Sequence, residues 1–150
     1  MKQKVERTIM IAAPPDAVWN AWVNEMNAWW TKPYYNDHDH ITGLHMEPQL
    51  GGRYIEKWGE EGSGFLIGHV TEWLPPLRLS YTWTERTWEG VNTLIRLEFE
   101  EERKGITRLK FVQEGFERLP KGEETRSGYQ GGCNQLLGRL KNYIEKGKPE

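Results

Sequence analysis

The stretch from Thr125 to Lys146 constrains the fold most, because it is the clearest amphipathic helix in the sequence. Apolar or small residues recur there at steps of three and four: Tyr129, Gly132, Cys133, Leu136, Leu137, Leu140, Tyr143 and Ile144. A helix with so wide an apolar stripe must bury it against other elements. Since most of the preceding sequence has the period of two that is typical of strands, we expect a curved sheet folded around this helix.

The same helix contains four glycines, Gly128, Gly131, Gly132 and Gly138. Each interior glycine costs about 0.5 to 1 kcal/mol relative to alanine, so their number indicates that something lies close to the helix backbone. Two explanations are open at this point. Either the helix packs closely on the sheet, or an internal cavity lies beside it.

Seven segments before the helix are predicted as strands, at about 4–11, 41–46, 53–58, 65–73, 77–83, 91–99 and 106–116. Pro14 and Pro15 end the first strand, and two short helices follow, one reaching about Asn24 and one containing Trp29 and Trp30. The strand at 65–73 is apolar on both faces, so the pattern does not assign its inward face. The connections are short enough for antiparallel neighbours. The predicted fold class is α+β, with six or seven strands, as one domain over residues 1–150.

Charge and cysteine content exclude several classes of function. The chain has 20 basic and 22 acidic side chains, a formal charge of −2, and therefore no broad field to attract nucleic acid. Its one cysteine cannot form an internal disulfide, and its first residues lack the apolar run of a signal peptide or a membrane span. We expect a cytoplasmic protein that neither binds nucleic acid nor spans a membrane.

Several local motifs, in this order, resemble a known superfamily. They are Ala13-Pro14-Pro15-Asp16, Val18-Trp19, Ala21-Trp22, Trp29-Trp30, Gly51-Gly52-Arg53-Tyr54, Gly68-His69-Val70, Trp73-Leu74-Pro75-Pro76, Leu77-Arg78-Leu79, Thr107-Arg108-Leu109, Gly115-Phe116 and Gly128-Tyr129 with Gly132. Together they are similar to the START-like, Bet v 1-like (SRPBCC) superfamily. Within it, the chain resembles small bacterial proteins similar to the C-terminal domain of the Hsp90 ATPase activator.

This resemblance implies a helix-grip fold, in which the sheet and the long C-terminal helix enclose a cavity. It also implies that an Hsp90-type chaperone is a candidate partner, in a stress response. It does not imply one activity, because the superfamily includes hydrophobic-ligand carriers, hormone receptors and polyketide cyclases, so function must be argued from the site.

The inward positions of the predicted strands and helix are candidates for a site that binds a small hydrophobic or aromatic molecule. They are Trp29, Trp30, Tyr54, Glu56, Trp58, Leu79, Tyr81, Trp83, Ile95, Leu97, Leu109, Phe111, Tyr129, Cys133 and Leu136. An apolar wall with a few polar groups is what such a site requires. The alternative is that the same residues form a filled core.

Glu56 is the sharpest candidate among them, because Tyr54 and Trp58 flank it on the same face of a predicted strand. A carboxyl group among aromatic rings either stays neutral or pairs with a cation such as Arg7. It is therefore a weak candidate for the acid or base of a cyclase-type or hydrolase-type enzyme. Non-enzymatic binding is the favoured hypothesis.

No metal or cofactor is predicted. His38, His40 and His45 with Asp37 and Asp39 have ligand chemistry, but their spacing in a polar loop does not fit a rigid metal site. No nucleotide-binding or phosphate-binding fingerprint occurs.

The aromatic residues Tyr34, Tyr35 and Trp88 lie in predicted loops and are candidates for a ligand gate or a homodimer contact. A second copy of the chain therefore stays open as a partner.

Overall fold

The computed structural model describes residues 4–37, 39–59 and 63–150. Its strands are β1 (Lys4–Ile11), β2 (Ile41–Met46), β3 (Arg53–Trp58), β4 (Gly64–Leu74), β5 (Arg78–Trp83), β6 (Thr93–Arg103) and β7 (Ile106–Glu114). Its α-helices are α1 (Pro15–Asn24) and α2 (Gly122–Lys146), and single 3-10 turns occur at Met26–Ala28, Arg86–Trp88 and Phe116–Arg118. All seven predicted strands and the long C-terminal helix are therefore confirmed.

The strands form one antiparallel sheet in the order β1-β7-β6-β5-β4-β3-β2. Strands β2 to β7 follow one another as neighbours, and β1 returns to pair with β7 along its whole length, from Lys4 opposite Glu114 to Ile11 opposite Thr107. The sheet curves around α2, whose buried side is the predicted apolar stripe. The predicted α+β helix-grip fold is confirmed.

The segment after β1 contains one α-helix and one short 3-10 turn, where two short helices were predicted. Pro15 occupies the first turn of α1, where a missing N–H costs no hydrogen bond. The second element is only Met26–Ala28, and Trp29 follows it. Trp29 is completely buried and donates from Nε1 to the Ala21 carbonyl oxygen at 2.9 Å, which ties the turn to α1.

The inward face of β4 could not be predicted from the sequence, because the pairing of this strand is irregular. Its pairing shifts register against both β3 and β5, so the simple alternation of faces is broken. Ile67 and Val70 are buried, while Leu66 is 45% exposed.

No helix within the described ranges is long and apolar enough to cross a membrane.

One end of the interior is filled with side chains. Trp19 of α1 lies with its ring centroid 5.3 Å from that of Phe99 and 5.0 Å from that of Trp73. Beneath them, completely or almost completely buried, lie Leu79, Leu97, Leu109 and Leu140. This end of the molecule is a conventional hydrophobic core.

Candidate functional site

The other end of the interior holds a cavity of about 360 Å³ between the sheet, α2 and the loop that precedes β2. Eight of the predicted site residues line it: Trp30, Tyr81, Trp83, Ile95, Phe111, Tyr129, Cys133 and Leu136. Small-molecule sites in proteins have volumes of roughly 300 to 1,000 Å³, so this space is large enough for a compact ligand. Ligand binding by these eight residues stays a prediction.

The strands build the wall of the cavity through their pairing. Tyr81 on β5 lies opposite Ile95 on β6, and Ile95 lies opposite Gln113 on β7, so the three side chains share the concave face. Trp83 follows Tyr81 by two residues and extends the same face. The alternation of faces along each strand therefore places these residues side by side around one space.

The polar atoms of the aromatic wall are bonded to each other. Trp83 donates from Nε1 to Tyr129 Oη at 3.0 Å, and Trp22 donates from Nε1 to Tyr81 Oη at 3.3 Å. Gln113 is 2% exposed and donates from Nε2 to Thr93 Oγ1 at 2.9 Å. With these groups paired, the wall presents mainly ring faces and aliphatic carbon to a ligand.

Seven predicted site residues do not line the cavity. Leu79, Leu97 and Leu109 belong to the filled end, and Trp29 and Tyr54 are buried in the aromatic packing behind the wall. Tyr54 lies edge-on to Tyr81 with the ring centroids 5.3 Å apart. The two remaining residues, Glu56 and Trp58, lie on β3 and are hydrogen-bonded to each other, and Glu56 also bonds to the loop that covers the cavity.

Glu56 anchors that loop to β3. Its carboxylate accepts hydrogen bonds from the backbone N–H groups of Asn36 and Asp37, at 2.7 and 2.8 Å, and from Trp58 Nε1 at 2.6 Å. Of the two alternatives for Glu56, pairing with Arg7 is not found, because Arg7 is exposed on β1, separated from β3 by four strands in the order of the sheet. Charge-assisted hydrogen bonds to two successive amides explain why a carboxylate that is 1% exposed is tolerated here.

Gly132 accounts for the close approach of the same loop to α2. A Cβ at this position would lie 2.9 Å from Cε1 of Tyr34, whose hydroxyl donates to Oε1 of Gln135 one turn further along the helix. Gly128 lines the cavity, and a Cβ there would meet nothing within 4 Å. The helix glycines thus serve both the packing of the loop and the width of the cavity. For Gly131 and Gly138 the structure shows no packing reason, since both border open space.

Seven lining residues were not singled out from the sequence: Trp22, Pro33, Asn36, Glu85, Gln113, Thr125 and Leu137. Gln113 could have been found, because it lies two residues beyond Phe111 on the same strand face. Pro33 and Asn36 could not, because the position of their loop depends on the anchor at Glu56 rather than on any periodic pattern.

Glu85 is the missed residue with the most distinctive chemistry. It is partly buried just after β5, and burial raises the pKa of its carboxyl group, with a further contribution from the negative charge of Glu56. Within the described ranges its carboxylate takes part in no hydrogen bond or ion pair. A carboxyl group at the cavity wall is therefore left available to a ligand.

Burial also determines the protonation state of the Cys133 thiol. It is 8% exposed, and desolvation raises the pKa of its thiol to about 12. The thiol at the cavity wall is thus neutral and behaves as a small apolar group, as its place on the apolar stripe suggested.

The described histidines of this region, His40 and His45, do not lie together as metal ligands. Nδ1 of His40 lies 2.9 Å from Oδ2 of Asp37, while His45 is exposed on β2, and His38 lies outside the described residues. Among the residues that the structure describes, no three His, Cys, Asp or Glu side chains are grouped to hold a metal ion.

Trp88, expected at an exposed turn, is instead buried, with its ring centroid 5.4 Å from that of Tyr129.

Residues 12–145 match the family described as activator of Hsp90 ATPase homolog 1-like protein. The chain belongs to this family. A comparison with curated protein sequences finds no match.

Several solved structures share the fold of this chain. A protein from Mesorhizobium loti is 20% identical with a TM-score of 0.73, and the match covers 96% of this chain and 98% of that one. The Aha1 dimer from Colwellia psychrerythraea is 17% identical with a TM-score of 0.72, covering 98% and 99%. CalU16 from Micromonospora echinospora is 19% identical with a TM-score of 0.69, covering 95% and 74%. At these identities the similarity establishes the fold alone.

Proposed function

We propose that the protein binds a small, predominantly aromatic molecule in the cavity between the sheet and α2. The observation that carries this proposal is the composition of the wall. Eight aromatic residues, Trp22, Trp30, Tyr34, Tyr35, Tyr81, Trp83, Phe111 and Tyr129, surround a space of about 360 Å³. Ring faces at the wall favour stacked or edge-on contacts with an aromatic ligand.

The contacts of Glu56 favour binding over catalysis by that residue. All of its hydrogen bonds go to the covering loop and to Trp58, and it does not line the cavity. A general acid or base must be within hydrogen-bond reach of the reacting atom. Its role is then to position the loop over a ligand.

Thermal unfolding against a panel of aromatic and lipophilic compounds tests the proposal. A ligand at 100 times its dissociation constant stabilises the folded state by about 2.7 kcal/mol. In a domain of this size each kcal/mol shifts the midpoint by roughly 2 to 4 °C. We expect a shift of several degrees for at least one aromatic class. No shift across the whole panel would refute the proposal.

Two glycines of α2 provide a matched pair of variants for this experiment. Gly128 lines the cavity and Gly131 does not, and a Cβ at either position meets nothing within 4 Å. Gly128→Leu should fill part of the cavity and weaken the ligand-induced shift. Gly131→Leu should leave the shift unchanged, while both variants gain helix propensity. An unchanged shift in both variants would place the ligand elsewhere.

A second candidate function is co-chaperone activity on an Hsp90-type ATPase. It is favoured by the family description and by the similarity to the Aha1 dimer. Purified protein added to a bacterial Hsp90-type chaperone should then raise its ATPase rate. An unchanged rate, together with no detectable complex, would remove this candidate and leave ligand binding unaffected.

A further inference from the structure

Charge at the cavity wall is concentrated in one residue. Of the described residues that line the cavity, Glu85 is the only one with an Asp, Glu, Lys, Arg or His side chain. A ligand that carries a carboxylate or phosphate would meet no cation there and would approach a like charge. A ligand with a hydrogen-bond donor or a positive charge would meet a carboxyl group with no partner.

Two arginines beside the covering loop are engaged elsewhere, and Arg7, opposite Phe111 on β1, acts on Cys133 and not on Glu85. The guanidinium of Arg86 lies 5.4 Å from the ring centroid of Trp58 and donates to the carbonyl oxygen of Asn36. Arg139 donates from Nε to the Trp29 carbonyl oxygen at 2.8 Å. Neither neutralises Glu85, so burial and the nearby Glu56 raise its pKa without opposition from a cation.

The aromatic wall adds a second attraction for positive charge. Trp30 and Trp83 line the cavity with their ring centroids 6.1 Å apart, and Tyr35 lines it as well. The negative face of an indole or phenol ring attracts an ammonium group, most strongly when both are removed from water. A carboxylate and aromatic faces around one space are the elements that recognise an organic cation.

We propose that the ligand is an aromatic amine, whose ring occupies the aromatic part of the cavity and whose protonated nitrogen donates to Glu85. This inference rests on the proposed function and deepens it, since it names Glu85 as the residue that determines specificity. An aromatic acid of the same size is the class that this site rejects.

Three probes with the same ring system and different charge test the proposal. They are 2-(2-naphthyl)ethylamine, 2-ethylnaphthalene and 2-naphthylacetate, measured by isothermal titration calorimetry at pH 7.5. A hydrogen bond to a charged group supports a preference of about 10-fold or more, so we expect the amine to bind at least about 10-fold more tightly than the neutral probe. The carboxylate should bind most weakly.

Glu85→Gln should remove the preference for the amine while the neutral probe keeps its affinity. Glu89→Gln is the matched control, because Glu89 is exposed on the same turn and does not line the cavity. It should keep the preference.

The outcomes separate the two proposals. Equal affinities for the three probes, tighter binding of the carboxylate, or a preference that survives in Glu85→Gln would overturn the assignment of Glu85 and leave aromatic binding intact. Absence of binding by all three probes, with no shift across the wider panel, would overturn the proposed function and this inference with it.

Discussion

The two ends of the interior differ although the same strands build both. At the filled end Leu79 pairs with Leu97, and the next pair on the same face, Tyr81 with Ile95, is at the wall of the cavity. The sheet contributes inward side chains to both ends alike. The difference comes from what covers the sheet: Trp19 of α1 fills one end, whereas the α2 residues at the other include Gly128, Gly132 and Cys133, which have little or no side chain.

The largest expected effect comes from truncating one leucine at each end. Leu109→Ala removes a completely buried side chain from the filled end and should lower the free energy of unfolding by about 3 to 5 kcal/mol. Leu136→Ala, at the cavity wall, should cost only about 2 kcal/mol, because that side chain already borders empty space and has fewer contacts to lose. Urea unfolding of both variants measures the difference. Equal costs would mean that the cavity end is as tightly packed as the core.

Releasing the loop that covers the cavity should have the next largest effect. Glu56→Gln removes the charge from hydrogen bonds to the Asn36 and Asp37 amides, and should cost about 1 to 3 kcal/mol. Hydrogen exchange of these two amides should accelerate while exchange in β6 and β7 stays slow. Glu101→Gln, an exposed carboxylate on β6, serves as the control. Unchanged exchange in Glu56→Gln would contradict the anchoring role.

Adjacent glycines of α2 should respond to alanine with opposite signs. Gly131→Ala should raise the free energy of unfolding by about 0.5 to 1 kcal/mol, because its Cβ enters open space. Gly132→Ala should lower it by about 1 kcal/mol, because its Cβ meets the ring of Tyr34 at 2.9 Å.

The double variant Gly132→Ala with Tyr34→Ala checks this contact. If the ring is the cause, adding Gly132→Ala to Tyr34→Ala should be stabilising. A loss that persists without the ring would assign the effect to the helix itself.

Labelling of Cys133 tests the cavity end without any substitution, so it perturbs the fold least. With its thiol pKa raised to about 12, very little thiolate is present at pH 8. Alkylation by iodoacetamide should be at least about 100-fold slower in the folded protein than in urea, as followed by mass spectrometry. Equal rates would show that the cavity end opens freely to water.

The strands and the long helix could be predicted from periodicity, while the helix-grip assignment came from the resemblance of the motifs. The period of two in the strands and the three- and four-residue steps of α2 depend only on which face is buried. The exception was β4, where the register shifts beside Ile67 and Val70 break the alternation. A bulge is specified by the pairing of two distant strands, so one strand alone does not reveal it.

The site was predicted only in part because an inward face does not tell whether the space beside it is filled. Leu109 and Phe111 are equivalent in the pattern, yet one lies in the core and the other lines the cavity. Glu56 was recognised as unusual, but its partners are backbone amides of a loop without periodicity. Glu85 carries no signal at all in the sequence, since a glutamate in a turn is ordinary.

The tryptophans also provide an intrinsic fluorescence signal for occupancy of the cavity. Trp22, Trp29, Trp30 and Trp83 form a continuous series with successive ring centroids 5.1, 5.7 and 6.1 Å apart. At such separations an excited indole passes its energy to the next, so light absorbed anywhere in the series is shared along it. Three of the four rings border the cavity. A molecule that enters will therefore alter the emission of the whole series, and occupancy can be followed without any added dye.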